Sequence, residues 1–241
     1  MRRRRAVHEL LIGVALALGV VGPAAAADDQ APPLSPAQIA LFESDHLKSI
    51  SKPVRLDYAF EHRGGAGDFT DKVSETIRAV HEDGGKDVAV VFLSGEHQTN
   101  FPQVNGFHGN PVLMYFLEHD VVELRQATGG AATYFRNRIR RAFFDGAQVH
   151  PTEVTVDGKT QAATEITITP FHNDAQIARF PGVAEKSYRF VLCDAVPGTI
   201  YQISTSVPKP AAASAGATPV AAMAAAFDES MTYSGEHDAT P

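Results

Sequence analysis

Residues 106–124 read GFHGNPVLMYFLEHDVVEL and hold the densest set of side chains that could do chemistry. His108, His119, Asp120 and Glu123 sit there among Val, Leu, Met, Tyr and Phe. Imidazole and carboxylate together serve either as metal ligands or as a proton donor and acceptor. His119 and Glu123 are four residues apart and share a face if the stretch is helical. That is half of a zinc site at most, because zinc needs three or four ligands and no HExxH or comparable spacing brings the rest. Neither a metal nor another cofactor is expected. The plainer reading is a helix sunk in a core, its histidine satisfied by one hydrogen bond.

Other reactive groups lack the company that chemistry needs. Ser94-Gly95 is not embedded in a G-x-S-x-G turn, so it is no nucleophile elbow. Cys193 alternates with Val191 and reads as a small buried hydrophobe. Gly64, Gly65 and Gly67 lie between two strand patterns and read as a hairpin turn, not a phosphate loop. Acidic residues are plentiful, so a pair of carboxylates of the glycosidase kind stays open. No catalytic residue is assigned, and a hydrolytic enzyme ranks behind a binding or structural role.

The elements that position these residues follow from periodicity and breakers. Ser35-Pro36 starts a helix over about 36–48. The segments 54–62, 69–81 and 86–93 are rich in β-branched and aromatic residues and form an antiparallel meander; Val54, Leu56, Tyr58 and Phe60 share a face. Asn110-Pro111 and Gly129-Gly130 bound a helix over about 111–127, and a second runs over about 131–144, antiparallel to it. Strands then resume, with Asp157-Gly158 as a two-residue hairpin and Val196-Pro197-Gly198 as a second turn between strands of 187–207.

On the first of the paired helices Leu113, Leu117, Val121 and Leu124 make one stripe, flanked by Met114, while Val112, Tyr115 and Val122 surround His119 on the other side. A helix apolar nearly all round is covered on two sides. On the second, Ala131, Phe135, Ile139, Ala142 and Phe143 face inward and Arg136, Asn137, Arg140 and Arg141 outward. Asp120 and Arg138 hold marginal positions on the two helices, and a partly buried pair between them would fix how the helices cross. The rival role for Arg138 is to meet an anionic head group at a cavity mouth. The outer Arg136, Arg140 and Arg141 form a solvated face or a docking patch for an acidic partner.

The ends bound the setting. Residues 1–27 combine Arg2–Arg5, an apolar run from Leu10 to Val21 and an A-x-A site at Ala25–Ala27, the pattern of a secretory signal peptide. The apolar run is shorter than the roughly 20 residues of a membrane-spanning helix. A periplasmic protein is expected, with secretion as the alternative. Four of the 21 basic and one of the 28 acidic residues lie in that leader, so the mature chain carries ten more acidic than basic side chains. Nucleic acid and an anionic membrane surface are both unsuited as the main partner of such a chain, since each needs a basic footprint. Residues 28–207 then form one α+β domain; 208–226 is an Ala/Pro-rich linker, 227–233 a final strand and 234–241 a disordered tail.

This order of elements, over residues 36–207 and the last strand, resembles the half-barrel proteins of the bacterial envelope, such as the lipoprotein carriers and receptors. The resemblance implies a curved antiparallel sheet of about eight strands, a half-barrel or open barrel, wrapped around the helix hairpin, with an N-terminal helix in addition. It also implies an apolar space for acyl chains. Leu113, Phe116, Leu117, Phe135 and Ile139 are the expected lining, with Asp120 and Arg138 as its polar groups. The ligand would be a lipid or acylated partner; an envelope protein contacted through the arginine face or a sheet edge is the alternative.

Overall fold

The computed structural model describes residues 32–65, 67–208 and 227–239. The leader and nearly all of the linker lie outside them. The chain opens with a single α-turn, α1 (Pro36–Gln38), that passes into a π-helical turn, Ile39–Glu43. Ser35 caps it, its Oγ accepting from the Gln38 amide at 3.1 Å while the Gln38 side chain accepts from the Ser35 amide at 3.0 Å. The helix is shorter than the 36–48 expected. Ser44 is extended and its hydroxyl donates to the Ile39 carbonyl, while the His46 ring bonds the Leu41 carbonyl at 3.1 Å. Two of the carbonyls at the end of this turn are thus taken by side chains.

The meander forms as expected: β1 (Val54–Gly64), β2 (Phe69–Val80) and β3 (Lys86–Phe92) pair antiparallel in sequence order. Two short strands not expected from the pattern, β4 (Thr99–Asn100) and β5 (Val104–Phe107), both pair with β3. They are too short for a period of two to show. The helix hairpin follows as α2 (Pro111–Thr128) and α3 (Ala132–Asp145). Asn110 caps α2 by accepting from the Val112 amide, and Gly129 ends it in the left-handed conformation at φ 69°.

Next come β6 (Gln148–Val156) and β7 (Lys159–Ile168), joined at Asp157-Gly158 with φ of 49° and 74°, both central residues left-handed as a type I′ turn requires. A one-turn helix, α4 (Pro181–Ala184), leads into β8 (Ser187–Leu192), then β9 (Ile200–Val207) and β10 (Phe227–Asp238). The last strand is a correction to the tail expected over 234–241. It runs to Asp238 and pairs with β1 as far as Val54.

All ten strands belong to one antiparallel sheet in the order β4-β3-β2-β1-β10-β9-β8-β7-β6, with β5 also on β3. Its two ends do not pair, so the barrel is open. Its curvature follows from two adjacent residues of α2. His119 lies against Phe92 of β3 and Phe60 of β1, while Asp120 binds Tyr188 of β8. On a flat sheet β3 and β8, five strand spacings apart, would be separated by about 24 Å. One helical turn touches both only because the sheet bends around it. The fold is therefore α+β, an open curved sheet holding a helix hairpin on its concave face.

That face and the helices share one core. Tyr58, Phe60, Val73, Phe92, Tyr188, Phe190, Ile203 and Met231 from the sheet, and Val112, Leu113, Phe116, Phe135 and Phe143 from the helices, are all buried. Each large apolar side chain so buried contributes roughly 1.5–3 kcal/mol before chain entropy is counted. Cys193 is buried as expected.

Candidate functional site

The expected lining residues sit where α2 and α3 meet the sheet. Leu113, Phe116, Phe135 and Ile139 are buried in the core, and Leu117 packs against it from a partly exposed position. In this state their side chains fill the space between sheet and helices.

Among them lies a set of buried ionisable groups. Asp120 is fully enclosed, with Oδ1 2.5 Å from Lys186 Nζ and Oδ2 accepting the Tyr188 hydroxyl. Lys186, equally enclosed, also donates to Thr205 Oγ1 at 3.4 Å and stands 4.5 Å from the Phe227 ring centre. One position earlier on α2, His119 Nε2 is 3.9 Å from Oε1 of Glu229 on β10, an ion-pair distance too long for a hydrogen bond. The same Oε1 is 3.0 Å from His62 Nδ1. His62 is itself stacked between Phe69 and Phe227 at 5.0 and 5.5 Å.

Protonation follows from these surroundings. Burial works to raise the Glu229 carboxyl, but the His119 and His62 imidazoles and the Lys186 ammonium outweigh it and hold it at about 2. The bond to Glu229 raises His62 in return. Glu123 of α2 is raised by burial, with the Glu229 and Asp120 charges adding to it and His119 opposing. Glu75 on β2 is fully buried, with the Tyr58 hydroxyl 3.5 Å from its Oε2, and burial pushes it up to about 8 against the opposing effect of the Tyr58 and Asn110 side chains. Glu75 Oε1 and Glu229 Oε2 are among the buried acceptors that have no hydrogen-bond partner in the described residues. Each such atom carries a desolvation penalty of roughly 1–3 kcal/mol or more.

The expected pair of Asp120 with Arg138 does not form. Asp120 looks into the sheet and finds Lys186, whereas Arg138 binds Asp174 at 2.9 Å and the Pro170 carbonyl in the segment after β7. The link between the helices is made by Arg136 instead, whose Nε donates to Glu118 at 2.8 Å. Arg141 pairs with Asp145 one turn on, and Arg140 is exposed. The sequence reading passed over Glu75, Glu229 and Tyr188. A signal for them existed: each occupies an inward place in a two-residue alternation, as in Val73-Ser-Glu75-Thr-Ile77 and Glu229-Ser-Met231. Nothing local marks Lys186.

No three His, Cys, Asp or Glu side chains among the described residues are grouped so as to hold a metal ion. The site is an apolar layer between a concave sheet and two helices, fastened by enclosed polar pairs and left with unmatched acceptors. No family model matches the chain, and no curated protein matches its sequence. Solved structures similar to it include the lipoprotein LppX of Mycobacterium tuberculosis, at 11% identity and a TM-score of 0.34 over 86% of this chain and 98% of that one. Another is a LolA superfamily protein of Nitrosomonas europaea, at 9% identity and a TM-score of 0.22 over 85% of this chain and 94% of that one.

Proposed function

We propose that the protein is an exported, non-catalytic binding protein of the bacterial periplasm that takes an apolar ligand, a lipid or an acyl chain, between its sheet and its helix hairpin. The observation that carries this reading is the layer just described. A helix apolar on nearly every side lies in the concave face of an open sheet, and the polar groups around it leave one oxygen each of Glu75 and Glu229 without a hydrogen bond. A closed state with such deficits is held less firmly than an all-apolar core would be. A ligand enters by moving α2 and α3 off the sheet, after which Leu113, Phe116, Leu117, Phe135 and Ile139 line the space. Asp120 then parts from Lys186, and Arg138 stands at the margin.

The test is native purification of the mature chain from its host envelope followed by mass spectrometry under non-denaturing and then extracting conditions. A co-eluting lipid near one equivalent is expected. A chain that emerges bare and takes up no alkyl probe when incubated with one overturns the reading. The exposed Arg140 and Arg141 favour a second reading, an adaptor that contacts an acidic envelope protein through α3. Reversing both charges without changing the co-purifying partners would remove it.

A further inference from the structure

We infer that the junction of α1, α3 and β6 is a surface that inserts into a phospholipid bilayer interface. Seven large apolar side chains are exposed among the described residues, and five of them gather here: Leu34 just before α1, Ile39 and Phe42 on the π turn that continues it, Phe144 on α3 and Val149 on β6. Scattered exposed apolar residues are ordinary, but a gathered set marks a contact surface. The segments touch: α1 packs on α3 and on β6, Ser35 Oγ donates to the Phe143 carbonyl at 2.6 Å, and the Phe42 ring meets the Phe143 ring edge-on at 5.1 Å. Val149 lies opposite Ile166 and so on the concave side, where α1 rests.

Two features favour a lipid surface as the occupant. Arg136, Arg140 and Phe144 stand four apart on α3 and form one stripe, leading from guanidinium groups to the apolar side chains. That is the order in which an interfacial helix meets phosphates and then acyl chains. Arg136 and Arg141 are balanced by Glu118 and Asp145, and Glu43 is exposed on the neighbouring π turn, so the stripe holds little excess charge. With ten surplus acidic groups over the mature chain, insertion and not electrostatic attraction must lead. The second feature is position. Leu34 follows the apolar leader, which ends at Val21, by a tether that spans at most about 45 Å. Leu34, Ile39 and Phe42 are thus the part of the fold nearest the leader along the chain. This inference does not depend on the interior holding a ligand.

The experiment is co-sedimentation of the full mature chain with vesicles of pure phosphatidylcholine and with vesicles enriched in phosphatidylglycerol, beside light scattering without lipid. Binding to both, with little gain from phosphatidylglycerol, is expected. Replacing Phe42→Glu and Phe144→Glu together should weaken binding at least about tenfold. Both side chains are exposed, so thermal melting should confirm that this variant folds. Arg140→Glu should weaken binding to the phosphatidylglycerol vesicles about fivefold and leave binding to pure phosphatidylcholine nearly unchanged. Failure to sediment with either vesicle, or full binding by the double variant, overturns the inference. So does a dimer that the double variant splits while vesicle binding is absent, which would make the patch a contact between copies.

Discussion

Glu75 holds a proton where an unfolded chain would release it. Its folded value of about 8 lies above the ordinary 4.5 because the site is dry. The folded state therefore binds more protons than the unfolded one between these values, and stability falls as pH rises through that window, by at most about 1.4 kcal/mol per unit. Melting followed from pH 5 to pH 8 should show this loss in the wild type and a flatter profile in Glu75→Gln; equal slopes in both would refute the assignment. Asp120 and Lys186 behave differently. Asp120→Ala strands an enclosed ammonium and should cost roughly 3–5 kcal/mol in urea unfolding, while Asp120→Leu combined with Lys186→Met should recover most of it. A single substitution that costs less than about 1 kcal/mol would mean that the pair does not fasten α2 to the sheet. These partners could not be read beforehand. Asp120 was visible as an acidic residue at the edge of an apolar face, but its choice of Lys186 over Arg138 depends on which way α2 is rolled against the sheet, and helical periodicity leaves that roll open.

At the level of elements, local signals did most of the positioning. Both helices of the hairpin, the meander and the Asp157-Gly158 turn stand within a residue or two of their expected places, because caps, glycines and alternation act over a few residues. Where a distant side chain decides, the expectation failed: α1 stops early on account of His46 and Ser44, and β4 and β5 exist because β3 offers them an edge. Asn110 joins the two kinds of control, since its Oδ1 caps α2 and its Nδ2 donates to the Gly198 carbonyl at 3.1 Å, tying the helix start to the turn before β9. Asn110→Ala should destabilise by about 2 kcal/mol or more, combining a lost cap with an unmatched buried acceptor. A change below about 0.5 kcal/mol in thermal or urea melts would contradict that double role. At the free edge, β6 carries Pro151. The two-residue turn makes Val156 and Lys159 a hydrogen-bonded pair, which places Pro151, an odd number of positions away, with its missing N–H on the outer side. The proline thus interrupts the edge against further pairing.

The whole sheet is joined by its last strand. β10 lies between β1 and β9, so it alone connects the half built from β1 to β5 with the half built from β6 to β9. Alternation showed that a strand begins near Phe227, but not that it is central or that it reaches Asp238, because pairing over such sequence distances leaves no local trace. Ending the chain after Tyr233 removes the pairs with Val54, Leu56 and their neighbours, and it should lower the melting temperature by several degrees. An unchanged melt would show that those last residues are dispensable. The same placement governs when the molecule can take shape. A ribosome adding roughly 5–20 residues per second has delivered more than nine-tenths of the polypeptide before the central strand exists. Until then the two half-sheets share no hydrogen-bonded seam, and only the packing of α2 against β1, β3 and β8 can bring them together.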